Sequence, residues 1–307
     1  MALLRTEDPM KYVMYIIMVI VILGIQELQA QNEDNPSEIE EQINAFTGQL
    51  SDNLQPYLQP FADAFGANLN NGLYHTAYIP ERGFHLYVGV ETMLALIAED
   101  QRTYTAVYND PINGIIEEKG APTVFGSKED KSITGTNTTV PGGFDIRAFP
   151  IIAPRITIGS LVGTELSFRW IELDLSADFG LLKINGFGLR HSISQYMPHA
   201  LIDLSFGFFV QEFQLGRIFK ADMGFFGVQA SRKFGPLTLY GGLGVEKATV
   251  TLTNNEGVLQ VQPVTFDSSN RGRMNVGACL SLVVFHFHAD YTLGMQNVIT
   301  VGLGIGF

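Results

Sequence analysis

From about residue 84 to the end of the chain, apolar residues recur at every second position. In 200–210, Ile202, Leu204, Phe206, Phe208 and Val210 fall on one face, and Asp203, Ser205 and Gly207 on the other, with Phe209 the exception. Residues 237–246 set Leu237, Leu239, Leu243 and Val245 against Thr238, Tyr240, Gly242, Gly244 and Glu246. Residues 274–282 set Met274, Val276, Ala278, Leu280 and Leu282 against Asn275, Gly277, Cys279 and Ser281. Successive side chains of a strand point to opposite sides, so each run predicts a ribbon with one apolar and one small, polar face. A strand face that meets water normally carries Lys, Glu, Arg and Thr. Gly, Ser, Thr and Asn with an occasional charge are what the inside of a membrane barrel carries, while Leu, Ile, Val and Phe meet lipid. Hydrocarbon offers no partner to an open strand edge, so such a sheet has to close.

Eleven runs are legible, at 84–97, 102–109, 144–158, 163–175, 181–193, 200–213, 219–232, 237–252, 258–266, 274–291 and 298–307. Single-chain bacterial barrels have even strand numbers. The expected fold is therefore all-β, a closed antiparallel transmembrane β-barrel over 84–307 with about 12 strands, or 14 as the alternative. The missing strand comes from a split of 144–158 at Pro150 and Pro154, or from 69–79. The last run has Ile299, Val301, Leu303, Ile305 and Phe307 on one face and Thr300, Gly302, Gly304 and Gly306 on the other. It looks like the C-terminal signal read by the outer-membrane barrel assembly machinery. As a closing strand it pairs with the first; left as a free edge it would template aggregation.

Ahead of the strands the period is helical. Ser37 with Glu40 at the third helical position resembles a capping box. Ile39, Ile43 and Phe46, then Leu54, Tyr57, Leu58, Phe61 and Phe65, continue at helical spacing, with Pro56 and Pro60 between them. This predicts two short amphipathic helices over 37–65 within a polar segment 31–83. That segment is either a cap on the domain or a plug in the barrel mouth. Residues 110–143, with their Pro, Gly and mixed charges, read as a long polar loop of the extracellular kind.

Residues 1–30 read as a secretory signal peptide: Lys11, an apolar run Tyr12–Ile25, then Leu28-Gln29-Ala30. The run is shorter than the roughly 20 residues of a comfortable membrane helix, although an uncleaved anchor is the competing reading. Glu7 and Asp8 suit the basic end of a leader badly, which makes Met10 the expected start. The protein is thus expected in the bacterial outer membrane.

Composition sharpens this picture. Only 16% of residues are charged, against about 25% in soluble proteins. Net charge is -12, with 19 Lys and Arg against 31 Asp and Glu, which excludes a general nucleic-acid binder. The single Cys279 excludes an internal disulfide and any zinc site needing two or more thiolates.

Four stretches carry a resemblance: Gly66-Ala67-Asn68-Leu69-Asn70-Asn71-Gly72-Leu73-Tyr74, Gly188-Leu189-Arg190-His191-Ser192-Ile193-Ser194-Gln195-Tyr196, Leu239-Tyr240-Gly241-Gly242-Leu243-Gly244-Val245-Glu246 and Phe287-His288-Ala289-Asp290-Tyr291. With them the chain resembles a family of uncharacterised bacterial outer-membrane β-barrel proteins over most of 60–307. The resemblance implies a barrel and carries no activity or site. In plan, a helical segment ahead of a long-stranded barrel, it is also similar to the long-chain fatty acid transporter barrels; architecture alone licenses no substrate.

The candidate lumen-facing polar residues are Glu165, Arg169, Asp203, Glu246, His286, His288 and Asp290. His286, His288 and Asp290 share one strand face, a spacing at which imidazole and carboxylate could meet a divalent metal; a plain polar row is the stronger reading, so no metal and no cofactor is expected. Arg190 and Asp203 are placed to pair across a turn, and Glu246 and Lys247 to lie at a rim. Trp170, Tyr196, Tyr240, Tyr291 and Phe307 suit interfacial girdles. There is no G-x-S-x-G and no phosphate loop, and neighbouring His191 and Ser192 point to opposite faces. The expectation is therefore no enzyme and no catalytic residue. The leading function is a passive channel or transporter for a small solute, hydrophobic solutes included. The alternative is a structural or assembly component with a filled barrel that presents loop 110–143 to a partner. A soluble periplasmic lipid-binding barrel is the third reading. Expected partners are outer-membrane lipid, the assembly machinery acting through the strand that ends at Phe307, and a small solute.

Overall fold

The structure is a computed structural model that describes residues 36–110, 114–136, 139–174, 181–197, 199–216, 219–253 and 264–307. The leader expected over 1–30 lies outside the described residues. The elements run in order α1 (Pro36–Leu69), β1 (His85–Leu96), β2 (Thr103–Asp110), β3 (Gly114–Pro122), β4 (Lys131–Ser132), β5 (Thr139–Val140), β6 (Ala148–Leu161), β7 (Thr164–Asp174), β8 (Leu181–Ser192), β9 (Asp203–Leu215), β10 (Phe219–Phe234), β11 (Leu237–Leu252), β12 (Val264–Asp267), β13 (Gly272–Leu282), β14 (Phe285–Leu293) and β15 (Asn297–Gly306). They form two units, one of 58–102 with 145–307, the other of the residues up to 57 with 103–144.

The larger unit holds the barrel. Its ladders run β1-β6-β7-β8-β9-β10-β11-β13-β14-β15 and return to β1, all antiparallel. Among the described residues the ring therefore has 10 strands, and β12 pairs with β11 outside it. Tyr87↔Gly306 through Leu96↔Asn297 is the closing ladder, between the first strand and the last.

The strand count departs from the expected 12 or 14 for identifiable reasons. The run 102–109 is a strand, but it belongs to the other unit as β2. The run 258–266 contributes only the described β12, which stays off the ring. The run 274–291 is two strands, folded at Leu282-Val283-Val284-Phe285 with no Gly, Pro, Asn or Asp to mark the turn. Pro150 and Pro154 do not split β6. From Ala148 to Arg155 that strand has ladder partners on β1 only, its pairing with β7 beginning at Ile156. A residue without an N–H is tolerated where one side of the strand has no ladder to feed. Residues 70–80 are not a strand either, as described below.

Outward positions are apolar through the middle of the ring and at the His85 and Phe307 end. Towards the other end β7–β11 turn Glu172, Lys183, Glu212, Lys220, Asp222 and Lys247 outward, where they pair with one another or with Asp267. Val88, Val90, Ile152, Ile156, Phe206, Phe208, Val210, Leu239, Leu243, Val245, Val301, Leu303 and Ile305 are all exposed. Inward positions are buried and hold every large polar side chain of the spanning strands that packs within the ring, among them Glu91, Arg155, Glu165, Arg169, Arg190 and His288. This is the inverted polarity of a membrane barrel. Phe209, the exception in its strand, is likewise buried inside. The two ends differ in their longest connections. At the His85 and Phe307 end β6–β7, β10–β11 and β13–β14 are joined by tight hairpins and β8–β9 by residues 193–202. The insertion between Leu96 and Ala148 and the β11–β13 connection leave from the other end, beside the short β9–β10 and β14–β15 connections.

Helix α1 is one helix of 34 residues, not two. Pro56 and Pro60 are one turn apart, so their missing N–H groups fall on the same side. Such a helix bends rather than breaks, because the rest of each turn keeps its bonds. Its residues from Leu58 on are buried in the barrel unit, where Phe61 and Phe65 meet Phe149, Phe213 and Phe219 at ring separations of 4.8–6.5 Å.

The smaller unit replaces the loop expected over 110–143. β2 pairs with β3, and β4 with β5. Ala106, Ala121, Ile133 and Val140 form its core, with Tyr104, Tyr108 and Ile116 against it. Asn53 of α1 bonds both backbone groups of Val107, accepting from its N–H at 2.9 Å and donating to its carbonyl at 2.6 Å. Tyr57 donates to the Gly142 carbonyl at 3.0 Å.

Candidate functional site

The lumen is where chemistry collects, because polar side chains on a spanning strand have only that side to turn to. It is occupied by the chain itself. After α1 ends at Leu69, residues 70–80 follow an irregular path of turns and bends through the barrel toward the tight-turn end, where β1 begins. A segment with neither helix nor ladder has to find donors for its carbonyls elsewhere. Two arginines and a glutamine of the wall supply them, and a third arginine meets a side chain of the segment. Arg169 Nη1 donates to Leu69 O at 2.8 Å, and its Nη2 to Asn71 O at 2.6 Å and Gly72 O at 2.8 Å. Gln211 donates to Leu69 O at 2.6 Å, and Arg190 Nη1 to Thr76 O at 2.6 Å. Arg155 Nη2 lies 3.0 Å from His75 Nδ1. Arg169 thus caps the C-terminus of a helix that has no basic residue in its last turn, where a cation also meets the negative end of the helix dipole.

Side chains of the segment reach the wall too. Tyr74 donates to Asn275 Oδ1 at 2.5 Å, and Thr292 donates to Asn71 Oδ1 at 2.6 Å. The glycines of the inner face make room for this. A Cβ at Gly242 would stand 2.3 Å from the Tyr74 hydroxyl, and one at Gly302 1.8 Å from Glu91 Oε2. A cavity beside Leu73, Arg155 and Phe209 has a volume of about 10 Å³, room for a single water.

Three sets of charges in this layer are paired. Glu91 accepts from Arg155 at 2.8 and 3.0 Å and from the Tyr87 hydroxyl at 3.1 Å, and its other oxygen lies 2.8 Å from His288 Nε2. Glu165 takes Arg190 at 2.5 and 2.6 Å, with His85 at 3.3 Å. Arg273 lies 3.6 Å from Glu246, its guanidinium over the Phe225 ring at 4.0 Å.

Of the seven candidate residues, Glu165, Arg169, Glu246, His288 and Asp290 are buried on the inner face; His286 is half-buried there, and Asp203 sits near the tight-turn end, 3.5 Å from the Ser231 hydroxyl. They face the threaded segment and one another. The His286, His288 and Asp290 row does not converge: His288 goes to Glu91, Asp290 takes the Tyr240 hydroxyl at 2.8 Å, and His286 meets Ser281 at 3.0 Å. The partner of Arg190 is Glu165 on β7, not Asp203. Glu246 lies within β11 rather than at a rim, and Lys247 points away to Asp267 at 3.7 Å. Tyr240 is not a girdle residue but is buried inside, whereas Trp170, Tyr196 and Phe307 are exposed. Sequence reading passed over Glu91, Arg155, Arg190 as a carbonyl donor, Arg273 and His75. For the wall residues the signal was present: each is a charge on the small-polar side of its strand.

Residues 10–307 match the family of unknown function DUF6588. The chain belongs to that family. This agrees with the resemblance to an uncharacterised barrel family. Solved structures with similarity include the outer membrane protease OmpT of Escherichia coli, at 7% identity and a TM-score of 0.33 over 75% of this chain and 98% of that one. The attachment invasion locus protein Ail of Yersinia pestis shows 12% identity and a TM-score of 0.28 over 74% and 100%. The β domain of the Bordetella autotransporter BrkA shows 10% and 0.30 over 74% and 100%. No curated protein matches the sequence.

Proposed function

We propose that this protein is a sealed barrel of the bacterial outer membrane, shut by its own residues 58–80, which anchors the insertion 103–144 for contact with a partner. The observation that carries this reading is the set of wall arginines, Arg155, Arg169 and Arg190, each bonded to the threaded segment. A lumen meant for free solute passage has no use for donors spent on its own plug. Membrane barrels keep short turns on the periplasmic side and longer connections outside. The chain leaves the barrel at Leu96 and returns at Ala148 on the side of the longer connections. Lipid covers the outward apolar rows, and the assembly machinery recognises the strand that ends at Phe307.

One observation favours the channel reading: residues 70–80 of the plug are held mostly by polar bonds, which water replaces when they move. Single-channel recording in planar bilayers separates the two. The wild-type barrel is expected to give no resolved conductance steps, and Arg169→Ala combined with Arg190→Ala to give intermittent ones. Steady wild-type conductance, or uptake of an apolar solute into liposomes, sinks the sealed-anchor reading in favour of transport.

A further inference from the structure

We propose that His75, Cys279 and His286 form a binding site for a thiophilic transition-metal ion of the zinc class. The three residues come from three places in the chain: the threaded segment, β13 and β14. One ligand atom from each lies within 4.8 Å of the other two. The ladder Ser281↔His286 and Cys279↔His288 puts the thiol and the imidazole of the wall on one inner face, two positions apart. The segment then brings in His75, whose ring centroid is 5.4 Å from that of His286.

The donor set selects the ion. One thiolate and two imidazoles suit Zn²⁺ or Cu⁺, whereas Ca²⁺ and Mg²⁺ require oxygen ligands. Ligands of one tetrahedral zinc stand about 3.5 Å apart, so closure onto an ion takes shifts of about an ångström. His286 is half-buried toward the tight-turn mouth, which gives an ion a way in, and leaves a fourth position for water. Ser281 is placed to orient the wall ligands, with its hydroxyl 3.0 Å from His286 Nδ1 and 3.8 Å from Cys279 Sγ. Such outer partners fix the ring and raise its basicity.

Occupancy rearranges two groups. The Cys279 thiol gives up its proton on binding. Arg155 loses its bond to His75, because a metal-bound neutral imidazole carries its proton on the free nitrogen and no longer accepts. Arg155 keeps Glu91 and Thr157, and Glu91 offsets its charge, so the ion does not meet an unbalanced cation. A metal bound here clamps the threaded segment to the wall. It would hold the plug by coordination as well as by hydrogen bonds.

The test uses the full mature chain folded in detergent micelles and stripped with a chelator, titrated with Co²⁺ and then Zn²⁺. The expected result is one equivalent of Co²⁺ with a thiolate-to-cobalt charge-transfer band, bleached by Zn²⁺. Cys279→Ser is expected to abolish the band, and His75→Gln and His286→Gln to weaken Co²⁺ binding at least tenfold. Folding of each variant is checked by heat-modifiable gel mobility. His286→Gln, at the half-exposed position, serves where a buried change prevents folding. Absence of the band in wild type, or an unchanged titration in any folded variant of the three, overturns the proposal.

Discussion

Residues 58–69 and residues 70–80 occupy the same lumen, one above the other, and are held by opposite means. The first stretch is helical and satisfies its own backbone. It needs only an apolar socket, and the rings of Phe149, Phe213 and Phe219 provide one for Phe61 and Phe65. The second is irregular, with neither helix nor ladder, and cannot satisfy itself. Its layer of the wall therefore carries Arg155, Arg169 and Arg190, with Glu91 and Glu165 balancing two of them. The lesson is that the conformation of a plug dictates the chemistry of the wall around it. A helix asks for shape and dispersion, an irregular segment for aimed donors.

The largest expected effect lies in the charged layer. Glu91→Gln strands both Arg155 and His288, so the loss should lie near the upper end of the roughly 3–5 kcal/mol that follows from breaking a buried pair. Urea unfolding in lipid, followed by the fluorescence of Trp170, the one tryptophan, measures it. The double change Glu91→Gln with Arg155→Met should cost less than Glu91→Gln alone, since it removes the stranded cation. A double variant that is worse than the single one would break the comparison, because the layer would then act through packing.

Next comes the aromatic collar. Phe65→Ala removes a ring within 4.8–5.2 Å of Phe213 and Phe219 and should cost about 3–4 kcal/mol. Shape being the requirement here, Phe65→Leu should recover most of that loss, whereas Glu91→Asp should recover little of its own because hydrogen-bond geometry is lost with one methylene. Equal recovery by both conservative changes would erase the distinction between the layers.

How much of this was legible in the residues follows the same division. The apolar belt of the outer wall was, because lipid imposes one rule on the outward positions it touches, and Leu239, Leu243, Val301 and Leu303 obey it. The inner face was misread in part. Gly242 and Gly302 look like the lining of an open lumen, yet each makes room for one large group, Tyr74 and Glu91. A glycine records the space a neighbour needs and not which neighbour fills it. The charges Glu165 and Arg169 could be assigned to the inside by parity. Their partners could not, since Arg169 meets Leu69 across 100 residues of chain. His75 gave no signal at all, because the segment that carries it has no periodicity.

The smallest expected effect is at Val283, in the hairpin that the strand pattern concealed. Its φ is +58°, a left-handed conformation that a β-branched residue adopts at a cost of about 1–2 kcal/mol. The side chain is 98% exposed, so packing returns little of that cost. Glycine has no Cβ to clash but gains freedom in the unfolded chain, which takes back part of the benefit. Val283→Gly should therefore raise stability by about 0.5–1 kcal/mol in the same urea assay. The turn touches neither the collar nor the charged layer, and separate sites add. The gain should thus be the same in wild type, in Glu91→Gln and in Phe65→Ala. A gain that vanished in one of the two backgrounds would mean that β13 and β14 transmit the state of that layer to their turn, and that the two layers are coupled through the wall rather than independent.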